Sequence, residues 1–160
     1  MKRFKFLTSL ILLMLCMQFA DAQVNIYTFS SSVETFTPIT GGTILGTSTN
    51  NNESFNSLPI GFFFNYLGED FTEVSVNTDG FLAFGGTVST SFTCLSTGPS
   101  NNVVSALNLN IVGISGSGEM MYLTEGELPN RTFTMQWLNF QYSGATGNGD
   151  NFNFQIKLYE

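Results

Sequence analysis

From residue 23 onward, short apolar or alternating runs are separated by clusters of Gly, Asn and Ser, and helical periodicity never lasts beyond a turn or two. The clearest run spans residues 60–66 and places four large side chains on one face: Ile60, Phe62, Phe64 and Tyr66. A period of two is typical of half-buried strands. The pattern therefore predicts an all-β domain, an antiparallel β-sandwich or jelly-roll-like fold, with these four side chains in its core.

A three-strand meander is the best-defined part of this pattern. Residues 67–70 turn the chain into a second strand, in which Thr72, Val74 and Val76 alternate with polar side chains. The dipeptide Asp79-Gly80 follows, and both residues tolerate the positive φ that tight hairpin turns require. The chain then returns through a third strand at residues 81–84.

Further strands are predicted on both sides of the meander. Before it, the apolar runs are residues 26–29, 36–39 and 43–45, and the polar residues 46–57 predict an exposed loop. After it, the runs are residues 91–95, 110–114, 120–124, 132–142 and 151–160. Within residues 132–142 the apolar side chains change from odd to even positions, which indicates a β-bulge near Trp137 or Leu138.

The chain stops inside the strongly alternating run at residues 151–160. A strand that ends a domain without a turn or a return strand leaves one edge unpaired, so we expect a truncated reading frame. Sequencing the genomic DNA beyond the codon for Glu160 checks this expectation. An open frame that continues into further β-modules supports truncation, whereas an immediate stop codon contradicts it.

Residues 1–22 have the features of a secretory signal peptide. Lys2, Arg3 and Lys5 precede an uncharged stretch at residues 6–20, and Ala20-Asp21-Ala22 has the small-x-small form of a cleavage site. As a helix, the uncharged stretch would reach roughly 22 Å, short of the ~30 Å hydrocarbon core, which disfavours a membrane anchor.

Lipidation at Cys16 is the other alternative, and it is disfavoured because a large residue, Leu15, precedes the cysteine. We therefore predict a signal peptide at residues 1–22 and a single β-sandwich domain at residues 23–160. The mature product is expected to be secreted or held at the cell surface, or periplasmic if the chain is complete, and not to span the membrane.

Charge and composition exclude several classes of function. Removal of the leader leaves two of the five basic residues against eleven of the twelve acidic ones, a net charge of −9. Nucleic acid is then disfavoured as a partner, because phosphate binding requires clustered Lys and Arg. The chain has no His, which excludes Ser-His-Asp and Cys-His catalysis and His-ligated zinc.

Cys94 is the remaining thiol once the leader is removed, so no internal disulfide is expected. A reactive or intermolecular cysteine is one interpretation. A small apolar residue, half buried in a strand or loop, is favoured because no base or positive charge near it in the sequence would lower its pKa.

Five segments in order resemble the N-terminal β-domain of large Bacteroidetes cell-surface proteins exported by type IX secretion. They are residues 27–29, 36–43, 60–68, 74–85 and 153–160. The resemblance implies continuation into another strand, then fibronectin type III or similar modules, then a C-terminal sorting domain. It implies no catalytic residues.

Two acidic pairs are the candidates for catalysis: Glu69 with Glu73, and Glu125 with Glu127. A glycosidase needs two carboxyl groups roughly 5–9.5 Å apart across a cleft. Both pairs lie at turns or at the start of a strand, where acidic side chains are usually solvated. A non-catalytic protein is therefore expected.

Two polar segments offer oxygen ligands of the kind that calcium prefers, residues 148–151 and residues 50–53. Neither has the dense alternating Asp spacing of a strong calcium motif. Asn-Gly-Asp is also ordinary turn chemistry, so turns are favoured over calcium binding and no cofactor is expected.

Exposed aromatic side chains would suit a sugar-binding surface, and Trp137, Tyr142, Tyr66 and Tyr122 are the candidates. The chain has 17 Phe to fill two inner sheet faces, so any single ring is more often core than platform. The expected function is adhesion or binding of a polysaccharide, polymer or extracellular matrix. A structural spacer and an accessory domain of a secreted hydrolase are the alternatives.

Overall fold

The computed structural model describes residues 27–48, 50–90, 102–144 and 150–160. Within these ranges the protein is all-β and antiparallel, which confirms the predicted fold class. The nine strands of the described residues are β1 (Thr43–Thr47), β2 (Ser54–Tyr66), β3 (Glu69–Asn77), β4 (Phe81–Phe84), β5 (Val103–Ser105), β6 (Ile111–Gly113), β7 (Glu119–Glu125), β8 (Thr132–Tyr142) and β9 (Phe152–Tyr159).

The chain divides into two compact units, Met1–Val33 and Glu34–Glu160. Of the first unit, residues 27–33 are described; they are exposed and have no regular secondary structure. All nine strands belong to the second unit.

Two antiparallel sheets form a sandwich-like arrangement in the second unit. In the first sheet, β1 pairs with β7 and β7 pairs with β8. One edge of β8 pairs with β7 and, further along, with β6, and its other edge pairs with β9. The second sheet has the order β2-β3-β4-β5. Its first three strands are the predicted meander, joined by short turns at Leu67-Gly68 and at residues 78–80.

The core is filled by the inner faces of the two sheets. Of the four side chains predicted for it, Ile60 and Phe62 are buried, whereas Phe64 and Tyr66 are half-buried and pack against Phe84 with ring centroids 5.2 and 4.8 Å away. The largest fully buried side chains also include Trp137, Phe81, Phe133 and Phe140. Aromatic side chains of this size supply most of the apolar area that stabilises the fold.

Several predicted elements are confirmed and three are wrong, one of them the strand predicted at residues 26–29, whose described residues 27–29 have no regular secondary structure. The strands predicted at 110–114, 120–124 and 132–142 are present as β6, β7 and β8, and the predicted bulge is a register shift between Trp137 and Phe140. Residues 54–57, predicted as loop, begin β2 because they pair with the end of β3. Residues 36–39, predicted as a strand, are irregular; there the Ile39 amide donates to the Gln136 side chain at 2.9 Å.

The predicted hairpin turn at Asp79-Gly80 forms, but it is buried between the sheets. The Trp137 indole N–H donates to the Asn77 carbonyl at 3.2 Å, and the Ile111 amide donates to the Asp79 carboxylate at 3.2 Å. Gly80 has φ +88° and a Cβ there would lie 2.6 Å from the Leu107 carbonyl oxygen, so glycine is required. These bonds tie the second sheet to the first.

Burial raises the pKa of Asp79 to about 6, and the hydrogen bond from the Ile111 amide partly offsets this by favouring the carboxylate. The side chain is fully buried, and its other oxygen lies 3.5 Å from the Asn77 amide nitrogen. The carboxylate therefore has neutral donors and no described cation beside it.

Asp79→Asn should flatten the pH dependence of stability. Because the folded state binds the Asp79 proton more tightly than the unfolded state, stability falls as pH rises from about 4 to about 6. Between pH 4.5 and 7.5 the loss should be on the order of 1–2 kcal/mol in the native protein and absent in the variant. Urea unfolding at both pH values measures it, with the exposed Asp70→Asn as control. An unchanged pH slope in Asp79→Asn would contradict this assignment.

Candidate functional site

Of the four aromatic candidates, one is ruled out as a platform. Trp137 is wholly buried, stacks on Phe154 at 4.9 Å between centroids, and serves the core. Tyr66 is half-buried and its hydroxyl donates to the Val103 carbonyl. Tyr142 is 43% exposed and meets Phe152 edge-on, while Tyr122 is half-buried beside Phe133.

The structure places all four acidic candidates at exposed positions. Glu69 and Glu73 are four residues apart on β3, which separates their Cα atoms by roughly 13 Å. Glu125 ends β7 and Glu127 lies in the exposed turn that follows. No cluster of three or more His, Cys, Asp or Glu side chains able to hold a metal occurs in the described ranges.

In each of the two segments considered for calcium, an asparagine side chain makes local hydrogen bonds. The Asn50 side chain accepts from the Thr47 amide at 2.7 Å and donates to the Glu53 carboxylate. The Asn151 side chain bonds those of Asn139 and Asn153. Asn148 and Gly149 lie outside the described residues, as does Cys94.

A wide interruption of the β2–β3 ladder presents the most distinctive surface feature. Pro59 pairs with Glu73 and Phe64 with Phe71, so residues 60–63 of β2 stand opposite a single residue of β3. We call residues 60–63 the β2 bulge. At its end the Phe63 ring is 75% exposed.

The opposite sheet holds the β2 bulge in place. The Thr124 hydroxyl donates to the Ile60 carbonyl at 2.8 Å, and Arg131 Nη1 donates to the Gly61 carbonyl at 2.7 Å. The Arg131 guanidinium also lies 5.6 Å from the centroid of the Phe62 ring, within cation–π range. The Ile60 and Gly61 carbonyls, which have no partner in the β2–β3 ladder, therefore accept hydrogen bonds from side chains instead.

Arg131 is fixed in turn by Glu160. Two guanidinium nitrogens donate to the Glu160 carboxylate, and the Nε bond is 2.7 Å long. This bidentate hydrogen bonding raises the pKa of Arg131 and lowers the pKa of Glu160. The positive charge beside the β2 bulge is therefore compensated within the protein.

Two shallow grooves flank the β2 bulge and meet at Pro59 and Gly61. The Phe63 groove is lined by Pro59, Gly61, Phe62, Phe63, Thr72, Glu73 and Arg131. The Tyr122 groove is lined by Gly41, Gly42, Thr43, Pro59, Gly61, Tyr122, Leu123 and Thr124. Together they combine aromatic rings with hydroxyl, carboxylate and backbone groups.

The family model described as NIDO related matches residues 26–160. The chain belongs to the NIDO-related family. This domain is β-rich and of an extracellular type. A search of curated proteins and a search of solved structures each return no match. In the described part of the NIDO-related domain, no helix is long and apolar enough to cross a membrane.

Phe63 is an exposed ring that the sequence interpretation passed over. The signal was present, because the alternation that turns Ile60 and Phe62 inward turns Phe63 to the other face of the strand. The Arg131–Glu160 pair had no comparable signal. Its members are 29 residues apart and meet because β8 pairs with β9.

Gly61→Ala should destabilise the NIDO-related domain by about 1–3 kcal/mol. Gly61 has φ +92°, and an added Cβ would lie 3.0 Å from the Thr124 Cγ2 atom. Urea unfolding measures the loss. Gly86→Ala is the matched control, since its Cβ would meet nothing within 4 Å, and equal stability of both variants would contradict the strain at Gly61.

Proposed function

We propose that this NIDO-related domain is a non-catalytic module of an exported protein, secreted or held at the cell surface, that binds an extended polymer through the Phe63 groove. The observation that carries this proposal is the exposed Phe63 ring on a β2 bulge anchored to the opposite sheet. A large exposed ring on a rigid support is the usual anchor of a binding surface.

The anchoring distinguishes Phe63 from a ring exposed at a mobile tip. Thr124 and Arg131 each hold one carbonyl of the bulge, and Glu160 fixes the Arg131 side chain. A ligand that stacks on Phe63 therefore does not have to order the backbone beneath it, and less entropy is lost on binding.

The shape of the surface favours a long ligand over a small one. The Phe63 and Tyr122 grooves meet at Pro59 and Gly61, so a chain-like ligand could contact both. Small-molecule sites are usually concave enough to bury most of their ligand. The signal-peptide pattern at residues 1–22 and the extracellular type of the family support export.

Phe63→Ala should abolish or weaken polymer retention by at least about tenfold, because the stacked ring supplies on the order of 1.5–3 kcal/mol of apolar burial. The full chain is passed over immobilised polysaccharides and extracellular-matrix proteins, and far-UV circular dichroism verifies the fold. Phe29→Ala, which removes a ring that is 91% exposed in the other compact unit, is the matched control. Polymer retention that is the same in both variants would contradict the site, and no retention of the native chain would favour a structural spacer.

A further inference from the structure

We propose that the ligand of the Phe63 groove is a neutral polysaccharide of β-linked hexopyranose units, an inference that rests on the proposed binding function. The groove combines an apolar ring, a carboxylate, a hydroxyl and a neutralised guanidinium. The charges of the groove select against acidic polymers, and its ring and rim suit a sugar chain.

Charge disfavours acidic polymers. Arg131 is the positive side chain among the residues described as lining the groove, and its charge is already paired with the Glu160 carboxylate. Glu73 adds a carboxylate to the same groove, and the chain as a whole is acidic. A uronate or sulfated chain would therefore approach like charge without a free cation to pair with.

The Phe63 ring suits the apolar face of a hexopyranose. Phenylalanine has no polar atom, so it offers a flat apolar surface alone. A β-linked hexopyranose presents axial C–H groups on its ring face and directs equatorial hydroxyl groups outward. Such a unit can cover the ring with its C–H face while its hydroxyls reach the rim of the groove.

The rim supplies partners for those hydroxyls. Thr72 and Glu73 line the groove opposite the β2 bulge and are exposed. Their side chains make no hydrogen bond with other described residues. The carboxylate accepts hydrogen bonds from sugar hydroxyls, and the threonine hydroxyl both donates and accepts. Neutral hydroxyls therefore match the rim, whereas a ligand carboxylate would meet an acceptor with no proton to donate.

The meeting of the two grooves at Pro59 and Gly61 implies more than one sugar position. Tyr122 lines the second groove, where its ring is braced by Phe133 at 5.7 Å between centroids. A chain that leaves Phe63 across Gly61 therefore reaches the groove that Tyr122 lines. Affinity should rise with the length of the oligosaccharide.

Calorimetry and affinity electrophoresis of the full chain test the proposal. The neutral probes are mixed-linkage β-glucan, β-mannan and their di- and hexasaccharides. Polygalacturonate and collagen are the comparison probes, an acidic polysaccharide and a protein. The native chain and Phe29→Ala should bind a neutral probe equally, and the hexasaccharide should bind more tightly than the disaccharide. Phe63→Ala should weaken binding at least about tenfold, and Glu73→Gln several-fold, because an amide oxygen is a weaker acceptor than a carboxylate.

The two proposals fail in different ways. Phe63-dependent binding of polygalacturonate or collagen, without binding of either neutral polymer, would overturn the neutral-glycan assignment and leave the binding function standing. Binding that strengthens in Glu73→Gln would also overturn it. If no probe of any class depends on Phe63, the binding function fails, and the assignment of its ligand fails with it.

Discussion

The alignment of the two sheets depends on the hydrogen bond from the Trp137 indole to the Asn77 carbonyl, which joins the sheets at the β3–β4 turn. A buried turn brings polar backbone groups into the core, and each must be satisfied or it costs free energy. Trp137 satisfies the Asn77 carbonyl, and the Ile111 amide bonds Asp79. The turn can therefore lie between the sheets, and the apolar faces on either side of it are held in one alignment.

Backbone groups that lack a ladder partner must also be satisfied at the β2 bulge. There the second sheet gives up ladder hydrogen bonds over four residues, and side chains of the opposite sheet and its flanking turn take their place. The replacement fixes Gly61 in a conformation with positive φ and leaves Phe63 outside the core. A bulge in an edge strand also hinders pairing with the strand of another chain. In addition, it exposes the Phe63 ring beside the Arg131 and Thr124 side chains.

Much of the fold was predictable because alternation is a local property. The runs at residues 81–84, 120–124 and 132–142 became strands, and the change of phase near Trp137 became a register shift. The errors occurred where pairing is long-range. Residues 54–57 look polar but pair with β3, while residues 36–39 look like a strand and are held by side chains of β8 and β9 instead.

The sequence by itself determined the β class, the turn at Asp79-Gly80 and the face of its strand on which each side chain lies, because all three depend on near neighbours and backbone sterics. Only the tertiary structure decided which rings are buried. Trp137 and Phe63 both belong to apolar runs, yet one is enclosed between two sheets and the other stands outside them. The tertiary structure also decided that Arg131 contacts Glu160 and Gly61, and that the Asp79 carboxyl group is buried. Those outcomes follow from which strands pair and which faces meet, and such contacts join residues that are tens of positions apart in the chain.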